Sequence, residues 1–338
     1  MGLRILYKSI HEVLEFDDLR MFTSRGHQVF SIGWYHSKYN STDFRVGRDE
    51  FYQQDLIDAW IASAGMSKEF VDLFDVVIVN HDTSWVVQNN EFLRGKPVIY
   101  RTIGQSNKEL ERLLKEIENN VCIVRYSEKE CGLSGFAKTD AVIYFAKDIE
   151  SYPQWVGGGK PLTFHNNYLD RDWASVPSLR TYINVTSGHD ARLFGFRNEG
   201  IQNWGGLISA DAMMDEFQNC SCYLFVWTLG PSYTLNLMEA MLVGAPIIAP
   251  SVSMIEAELQ ERADGWHRER YEVACFLSDK HALIYDTPKQ AAEFIAQANE
   301  RDDEVIAMAE RIRERARSLF DMRIIGAQWD DLFSRIIP

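Results

Sequence analysis

Short apolar runs typical of buried β-strands alternate with helical stretches along the amino-terminal half of the chain. The strand-like runs read LRILYK, HQVFSIG, DVVIVNHD, KPVIYRTIG, VCIVRYS and DAVIYFA. Several are continuously apolar, as strands covered on both faces are. Between them, DDLRMFTSRG and NKELERLLKEIENN show helical spacing. This alternation predicts βαβ units and therefore a doubly wound parallel sheet.

A second series of the same kind follows the segment SYPQWVGGGKP, whose three consecutive glycines, residues 157–159, make it the best linker candidate. Its strand-like runs read PLTFHNN, ARLFG, CYLFVW, APIIAP and ALIYD, with helices expected at 209–219 and 232–243. The 338 residues exceed a comfortable single core. We therefore predict an α/β protein of two tandem Rossmann-like domains, residues 1–155 and 160–318, with an interdomain cleft.

Composition narrows the classes of partner. The 49 acidic and 35 basic residues give a formal charge of -14, which opposes unspecific attraction to nucleic acid or anionic lipid. The five cysteines include the pair Cys220 and Cys222, and no second pair has metal-finger spacing, so buried thiols are expected. The sequence shows no signal segment, and no apolar run approaches the roughly 20 residues of a membrane span. We expect a cytoplasmic protein without a transmembrane segment.

The stretch GPSYTLNLMEAMLVGAPIIAP, residues 230–250, places one carboxylate, Glu239, in an otherwise apolar helix. Ser232 and Thr234 can cap the start of this helix, and Gly244 can end it. The preceding strand, CYLFVW, puts the helix start at the carboxyl end of a parallel strand, where α/β sheets bind ligands and bare N–H groups can hold phosphate. A buried Glu239 requires a hydroxyl, amide or cation as its partner.

At these residues the chain resembles the GT-B-fold glycosyltransferases that use nucleotide sugars, especially their retaining family-4-like group. The family signature reads roughly E-G-F-G-L-x-x-x-E-A-M-A-x-G-x-P-V-I-A, and the match runs from Leu235 to Ala249. The resemblance implies that the helix start binds the donor diphosphate and that Glu239 binds the ribose hydroxyls. The implied diphosphate-binding residues are Ser232, Tyr233, Thr234 and Leu235.

Weaker resemblances to the same family imply roles for further residues. The segment GGLISADAMMDEFQ resembles the family's loop near the nucleotide base, which implies Gly206 and Ile208. DVVIVNHD resembles the strand that ends on the acceptor side, and FHNNYLDRDW supplies amides and one cation on the donor side. Residues 319–338 resemble the terminal helix that packs back on the amino-terminal domain. The residues so implied are His81 and Asp82 for the acceptor, and Asn166, Asn167 and Arg171 for the donor.

Two departures and several structural alternatives accompany the resemblance. Pro231 stands where the family has the Glu that contacts the transferred sugar, eight residues before Glu239. The usual glycine-rich turn after the first strand is replaced by the residues SIHE. Glu239 can instead belong to a structural pair, Arg171 to a salt bridge, and His81 to a loop without a catalytic role.

These observations together predict a hexosyl- or pentosyltransferase. It would move a sugar from a nucleotide diphosphate sugar, used as co-substrate, to an acceptor in the interdomain cleft, with retention of configuration. His81, Asp82 and Arg171 are the catalytic candidates, and no cofactor or metal is expected. The acceptor class stays open between a glycan, a lipid, a small molecule and a modified nucleic acid. The alternatives are a GT-B-like transferase acting on DNA bases and a catalytically inactive nucleotide-sugar binding module.

Overall fold

The computed structural model describes residues 2–35, 48–63, 65–104, 108–168, 172–227, 232–259, 271–278 and 280–337. The chain divides into two compact units. The first unit comprises Met1–Asp148 together with Phe320–Pro338, and the second comprises Ile149–Leu319. The segment of three glycines belongs to the second unit, where the Gly159 amide donates to the carbonyl of Asn219 at 2.7 Å.

Each unit is built on one sheet, and every strand pairing in both sheets is parallel. The strands of the first unit are β1 (Arg4–Ser9), β2 (Gln28–Ser31), β3 (Val76–Asn80), β4 (Val98–Arg101), β5 (Cys122–Arg125) and β6 (Ala141–Val142), in the spatial order β2-β1-β3-β4-β5-β6. The strands of the second unit are β7 (Leu162–Phe164), β8 (Arg192–Phe194), β9 (Tyr223–Leu224), β10 (Ile247–Pro250) and β11 (Leu283–Tyr285), in the order β11-β10-β9-β7-β8. This arrangement confirms the predicted doubly wound α/β class.

Helices connect the strands. In chain order they are α1 (Glu12–Ser24), α2 (Gln54–Ala62), α3 (Lys68–Val71), α4 (Thr83–Gln88), α5 (Asn90–Leu93), α6 (Lys108–Ile117), α7 (Asp172–Thr186), α8 (Ala210–Asn219), α9 (Leu235–Val243), α10 (Val252–Leu259), α11 (Val273–Phe276), α12 (Pro288–Glu300), α13 (Asp303–Phe320) and α14 (Met322–Ile336). Short 3₁₀ segments occupy Arg48–Phe51, Glu128–Glu130 and Ile149–Ser151. In the part of the chain that the structure describes, no helix combines the length and the apolar character that crossing a membrane needs.

The cores follow the strand pattern of the sequence. In the first unit, Ile5 of β1 pairs with Val29 of β2 and Val76 of β3, and all three side chains are fully buried. Helix α14 packs its aromatic face into the same core, where Trp329 contacts Phe22 with ring centroids 5.4 Å apart. The cysteines of the second unit behave as apolar residues: Cys220 and Cys222 are buried free thiols, and burial raises the pKa of Cys222 to about 12.

A buried polar network lies inside the first unit. The Arg101 guanidinium donates from Nη1 to Asp18 Oδ2 at 2.5 Å, and neither side chain is more than 2% exposed. The hydroxyl of Tyr7 donates to the same carboxylate oxygen at 2.5 Å and accepts from Asn80 Nδ2 at 3.2 Å. Arg101 also lies 5.4 Å from the ring of Trp329, which joins α14 to the end of β4. Because Arg101 and Asp18 are buried, protein groups instead of water must stabilise their charges.

Replacing Arg101 tests how much the first unit depends on this pair. Arg101→Met leaves Asp18 as a buried carboxylate without its cation, so the free energy of unfolding should fall by about 3–5 kcal/mol. The matched control is Arg112→Met, because Arg112 pairs with Glu109 and Glu116 on the surface and its loss should change stability little. Urea unfolding of both variants provides the measurement. Equal stability of the two would contradict a dependence on the buried pair.

Candidate functional site

The carboxyl ends of β7 and β9 mark the reversal of strand order in the second unit. Strand β7 pairs with β8 on one side and with β9 on the other, so the connections that leave β7 and β9 diverge above the sheet. Open α/β sheets bind their ligands in the crevice at such a point. The donor residues expected from the sequence follow β7, β8 and β9 in the chain, so the fold directs them toward this edge.

Asn166 and Asn167 follow β7 directly. Asn166 Oδ1 accepts from the amide of Phe196 at 2.8 Å, and the Asn167 amide donates to the carbonyl of the same phenylalanine at 2.7 Å. Asn167 adopts a left-handed conformation with φ of 61°. Its Oδ1 is buried and has no hydrogen-bond partner among the described residues. A strained residue with an unsatisfied buried oxygen is the kind of group that a ligand completes.

The turn after β7 is held by Asn198, which sequence reasoning missed. This side chain is fully buried and donates from Nδ2 to the carbonyl of His165 at 2.6 Å. Its Oδ1 accepts from the amide of Tyr168 at 2.9 Å, so one amide group spans the Asn166–Asn167 turn from both sides. A lone Asn in the segment FRNEG carries no sequence signal for this role, because its partners lie far away in the chain.

Gly206 reaches the site because its segment runs beside β8. The Leu193 amide donates to the carbonyl of Asn203 at 2.9 Å, and the Gly195 amide donates to the carbonyl of Gly206 at 3.1 Å. Gly195 has a φ of 135°, and a Cβ built on it would lie 2.0 Å from the carbonyl oxygen of His165. Only glycine permits this approach between the ends of β7 and β8. Ile208 follows two residues later and is half-buried.

Helix α9 follows Ser232, Tyr233 and Thr234, three of the residues that the family resemblance assigned to the diphosphate. The Thr234 hydroxyl caps the helix by accepting from the Leu237 amide at 3.3 Å, and Ser232 is 1% exposed. The Tyr233 side chain is buried and packs on Phe276, with ring centroids 4.9 Å apart. The hydroxyl of Thr234 is therefore occupied by the cap. Because the amide of Leu235 opens the helix, it has no carbonyl partner inside α9 and can bind an anion.

Glu239 lies in the middle of α9 with 5% of its surface exposed. Burial raises the pKa of the Tyr223 hydroxyl, and the negative charge of Glu239 raises it further. The Glu239 carboxylate therefore acts electrostatically on Tyr223, the first residue of β9. Asn236, which shares the helical face of Glu239, is half-buried. Arg171 and Pro231 lie outside the described residues.

In the first unit, His81 and Asp82 follow β3. His81 is left-handed, with φ of 59°, and its amide donates to the carbonyl of Arg101 at 3.0 Å. Asp82 Oδ1 accepts from the amide of Trp85 and so caps α4, while Oδ2 lies 3.7 Å from Lys8 Nζ. Both carboxylate oxygens of Asp82 thus make structural contacts. The left-handed backbone of His81 is a kind of strain that is common at functional sites, so His81 is the stronger candidate of the two.

Trp34 is an exposed aromatic residue that the sequence interpretation did not single out. It follows β2 and is 57% exposed, although its amide is fixed by donation to the carbonyl of Ser9 at 3.2 Å. The buried carboxylate of Glu15 accepts from the amide of Tyr35 at 3.0 Å and from the Ser31 hydroxyl at 2.5 Å. These contacts of Glu15 hold the backbone so that the Tyr35 side chain is buried and the Trp34 side chain is exposed. The signal in the sequence was the aromatic pair after a glycine, SIGWY.

Comparison with known proteins supports the fold directly. No family model and no curated protein matches the sequence. The structure of Anabaena HepE in complex with UDP-glucose is similar over 99% of this chain and 100% of that chain, with a TM-score of 0.66 and 13% identity. A glycosyltransferase from Rickettsia africae gives a TM-score of 0.61 with 8% identity over 99% and 98% of the two chains. AviGT4, a glycosyltransferase involved in avilamycin A biosynthesis, gives 0.58 with 12% identity over 99% and 98%. The fold is therefore the GT-B fold that the resemblance implied.

The close approach at Gly195 yields a prediction about stability. Gly195→Ala should lower the free energy of unfolding by at least about 3 kcal/mol, because its Cβ would overlap the His165 carbonyl in addition to straining φ. Gly200 is the matched control. It also has a positive φ of 92° but open space around it, so Gly200→Ala should cost only the roughly 1–2 kcal/mol of the left-handed conformation. Thermal unfolding of both variants measures the difference, and equal losses would refute the steric explanation.

Proposed function

We propose that this protein is a glycosyltransferase that moves a sugar from a nucleotide diphosphate sugar to an acceptor hydroxyl. The observation that carries the proposal is the composition of one edge of the second unit. The strained Asn167, whose Oδ1 has no partner among the described residues, follows β7, and the amino end of α9 follows β9. The buried carboxylate of Glu239 stands about one turn further along α9. A diphosphate, its ribose and its sugar offer the groups that such an edge binds.

UDP-sugars are the donor class that we propose. Anabaena HepE, which shares the fold, has been solved in complex with UDP-glucose, with UDP and glucose, and with UDP. In this chain the amide of Leu235 would hold the diphosphate, and Asn166 and Asn167 would add polar contacts to the donor. Glu239 would accept hydrogen bonds from the ribose hydroxyls. Gly206 and Ile208 would lie against the base.

The transfer breaks the bond between the sugar's anomeric carbon and the diphosphate oxygen. The acceptor oxygen forms the new bond to the same carbon, its proton passes to a base, and the nucleoside diphosphate leaves with the electron pair. Helix amides aimed at the departing anion stabilise the charge that develops in this step. We propose that Arg171 adds a cation there, which makes a metal unnecessary, and that the product retains the anomeric configuration. His81 is our candidate for the base on the acceptor side.

Nucleotide binding is the first test of the proposal. A panel of UDP, GDP, ADP, CDP and their sugars should include one compound that stabilises the protein, by about 2.7 kcal/mol at 100 times its dissociation constant. Release of nucleoside diphosphate with and without EDTA then tests turnover and the need for a metal. No stabilisation by any compound would refute the donor site. Binding without transfer or hydrolysis would identify a nucleotide-sugar binding module instead of an enzyme.

Glu239→Gln tests the ribose contact. The amide keeps the shape but loses the charge, so affinity for the nucleoside diphosphate should fall by ~1.5–3 kcal/mol, the range for hydrogen bonds to charged groups. The fold should persist, because a buried amide costs less than a buried charge. Calorimetric titration and unfolding on the same sample provide the measurement.

The control for this variant is Glu293→Gln, a surface position on α12 that pairs only with Lys289 at 3.8 Å among the described residues. It should change neither quantity. If Glu239→Gln loses stability while the remaining folded protein binds nucleotide normally, then Glu239 serves a structural pair.

A further inference from the structure

Three arginines line a groove in the second unit that is distant from the donor edge. It has a volume of about 380 Å³ and is lined by Trp155, Gly244, Arg301 and residues of α13, among them Ile306, Arg313 and Arg317. We call it the arginine groove. It lies at the carboxyl end of α9, so about 13 Å of helix separates it from the amino end that faces the donor edge. A ligand in this groove is therefore distinct from the proposed donor.

The three guanidinium groups have no ion-pair partner among the described residues. None of them lies within a salt-bridge distance of a carboxylate in the described ranges. Arg313 donates from Nη2 to the carbonyl of Tyr152 at 3.0 Å, a neutral acceptor. The Nε of Arg317 is buried and has no hydrogen-bond partner among the described residues. Glu310 and Glu314 also line the groove, but their side chains are exposed, whereas Arg313 and Arg317 are half-buried.

The positive charges of these arginines repel one another. Arg313 and Arg317 are four residues apart on one face of α13, where like charges repel. Burial and the charge of Arg317 lower the pKa of Arg313, although Glu150 acts in the opposite direction. Arg301 adds a strained backbone, with φ of 51°. In a chain with a formal charge of -14, three arginines without an ion-pair partner among the described residues, two of them half-buried beside exposed glutamates, indicate a site for an anion.

The walls of the groove narrow the class of anion. The guanidinium of Arg301 lies 5.2 Å from the ring centroid of Trp155, which fixes it against the groove wall. Ile306 is 40% exposed and offers an apolar surface beside the cations. Guanidinium groups bind phosphate oxygens through paired, charge-assisted hydrogen bonds. We propose that the arginine groove binds the phosphate group of a small phosphate ester, with Arg301, Arg313 and Arg317 as its ligands. This inference does not depend on the proposed glycosyltransferase activity.

Arg317→Gln is the decisive variant. In the described structure Arg317 has no protein partner to lose, and its removal relieves the repulsion of Arg313, so the protein without ligand should melt at or above the wild-type temperature. Its affinity for phosphate should nevertheless fall about tenfold or more. A purely structural role for the arginine predicts the opposite pattern, namely a lower melting temperature and no change in phosphate affinity.

Arg311→Gln is the matched control, because Arg311 stands on the same helix but pairs with Glu304 and the carbonyl of Lys280 outside the groove. Inorganic phosphate is titrated into the full chain at constant ionic strength, with melting temperature and calorimetry as readouts. Wild type and Arg311→Gln should respond equally, while Arg317→Gln and Arg301→Gln should lose the response. Phosphate bound only at the donor edge would leave Arg301→Gln and Arg317→Gln with the response of the wild type, so the variant pattern separates the two locations.

The source of the phosphate group is distinguished by a second arm of the experiment. Sedimentation with vesicles of phosphatidic acid in phosphatidylcholine, compared with phosphatidylcholine alone, reports recognition of a lipid phosphate. Arginine-dependent sedimentation would assign the groove to a lipid headgroup. An arginine-dependent response to inorganic phosphate without sedimentation would assign it to a soluble ester. No response of the wild-type protein in either arm, or equal responses in all variants, would overturn the proposal.

Discussion

Parallel strands end at the same edge of their sheet, and this constraint positions the candidate site. Asn167, Gly195 and the start of α9 come from distant parts of the sequence, yet each follows the carboxyl end of a strand in one five-stranded sheet. The first unit repeats the arrangement with Trp34 after β2 and His81 after β3. The sheets therefore act as frames whose buried, apolar strands fix the positions of polar groups that follow them.

The two sheets also hold strained backbone conformations just after their strands end. Non-glycine residues in the left-handed conformation follow β3, β7 and β8, namely His81, Asn167 and Arg197. Such a residue costs of order 1–3 kcal/mol and persists only when its surroundings fix it. For His81 the fixing group is the carbonyl of Arg101, whose side chain is anchored by the buried pair with Asp18. For Asn167 it is the backbone of Phe196. In the first unit, the conformation of His81 is thus tied to the buried network.

The sequence predicted the features that local chemistry determines. The alternation of apolar runs gave the sheets, and Thr234 and Gly244 marked the ends of α9, where the structure has a capping hydroxyl and a left-handed glycine. Features that depend on distant partners were not predictable. Asp18 and Arg101 carry no pattern that reveals their pairing across 83 positions. The last strand of the first unit is shorter than expected, since DAVIYFA forms a strand only at Ala141–Val142. It borders β5 alone and so forms an edge of the sheet, where short strands are common.

Helix α9 lies between the two anion sites that we propose in the second unit, and its dipole affects them in opposite ways. At the amino end, about half a positive charge and the helix amides favour a diphosphate, and Arg171 is the one cation that we propose to add there. At the carboxyl end, Val243 and Gly244 face the arginine groove with about half a negative charge, which repels an anion. The three guanidinium groups of the groove oppose that partial charge. The two proposed sites therefore differ in the groups that hold phosphate: helix amides lead at the amino end, and guanidinium groups lead at the carboxyl end.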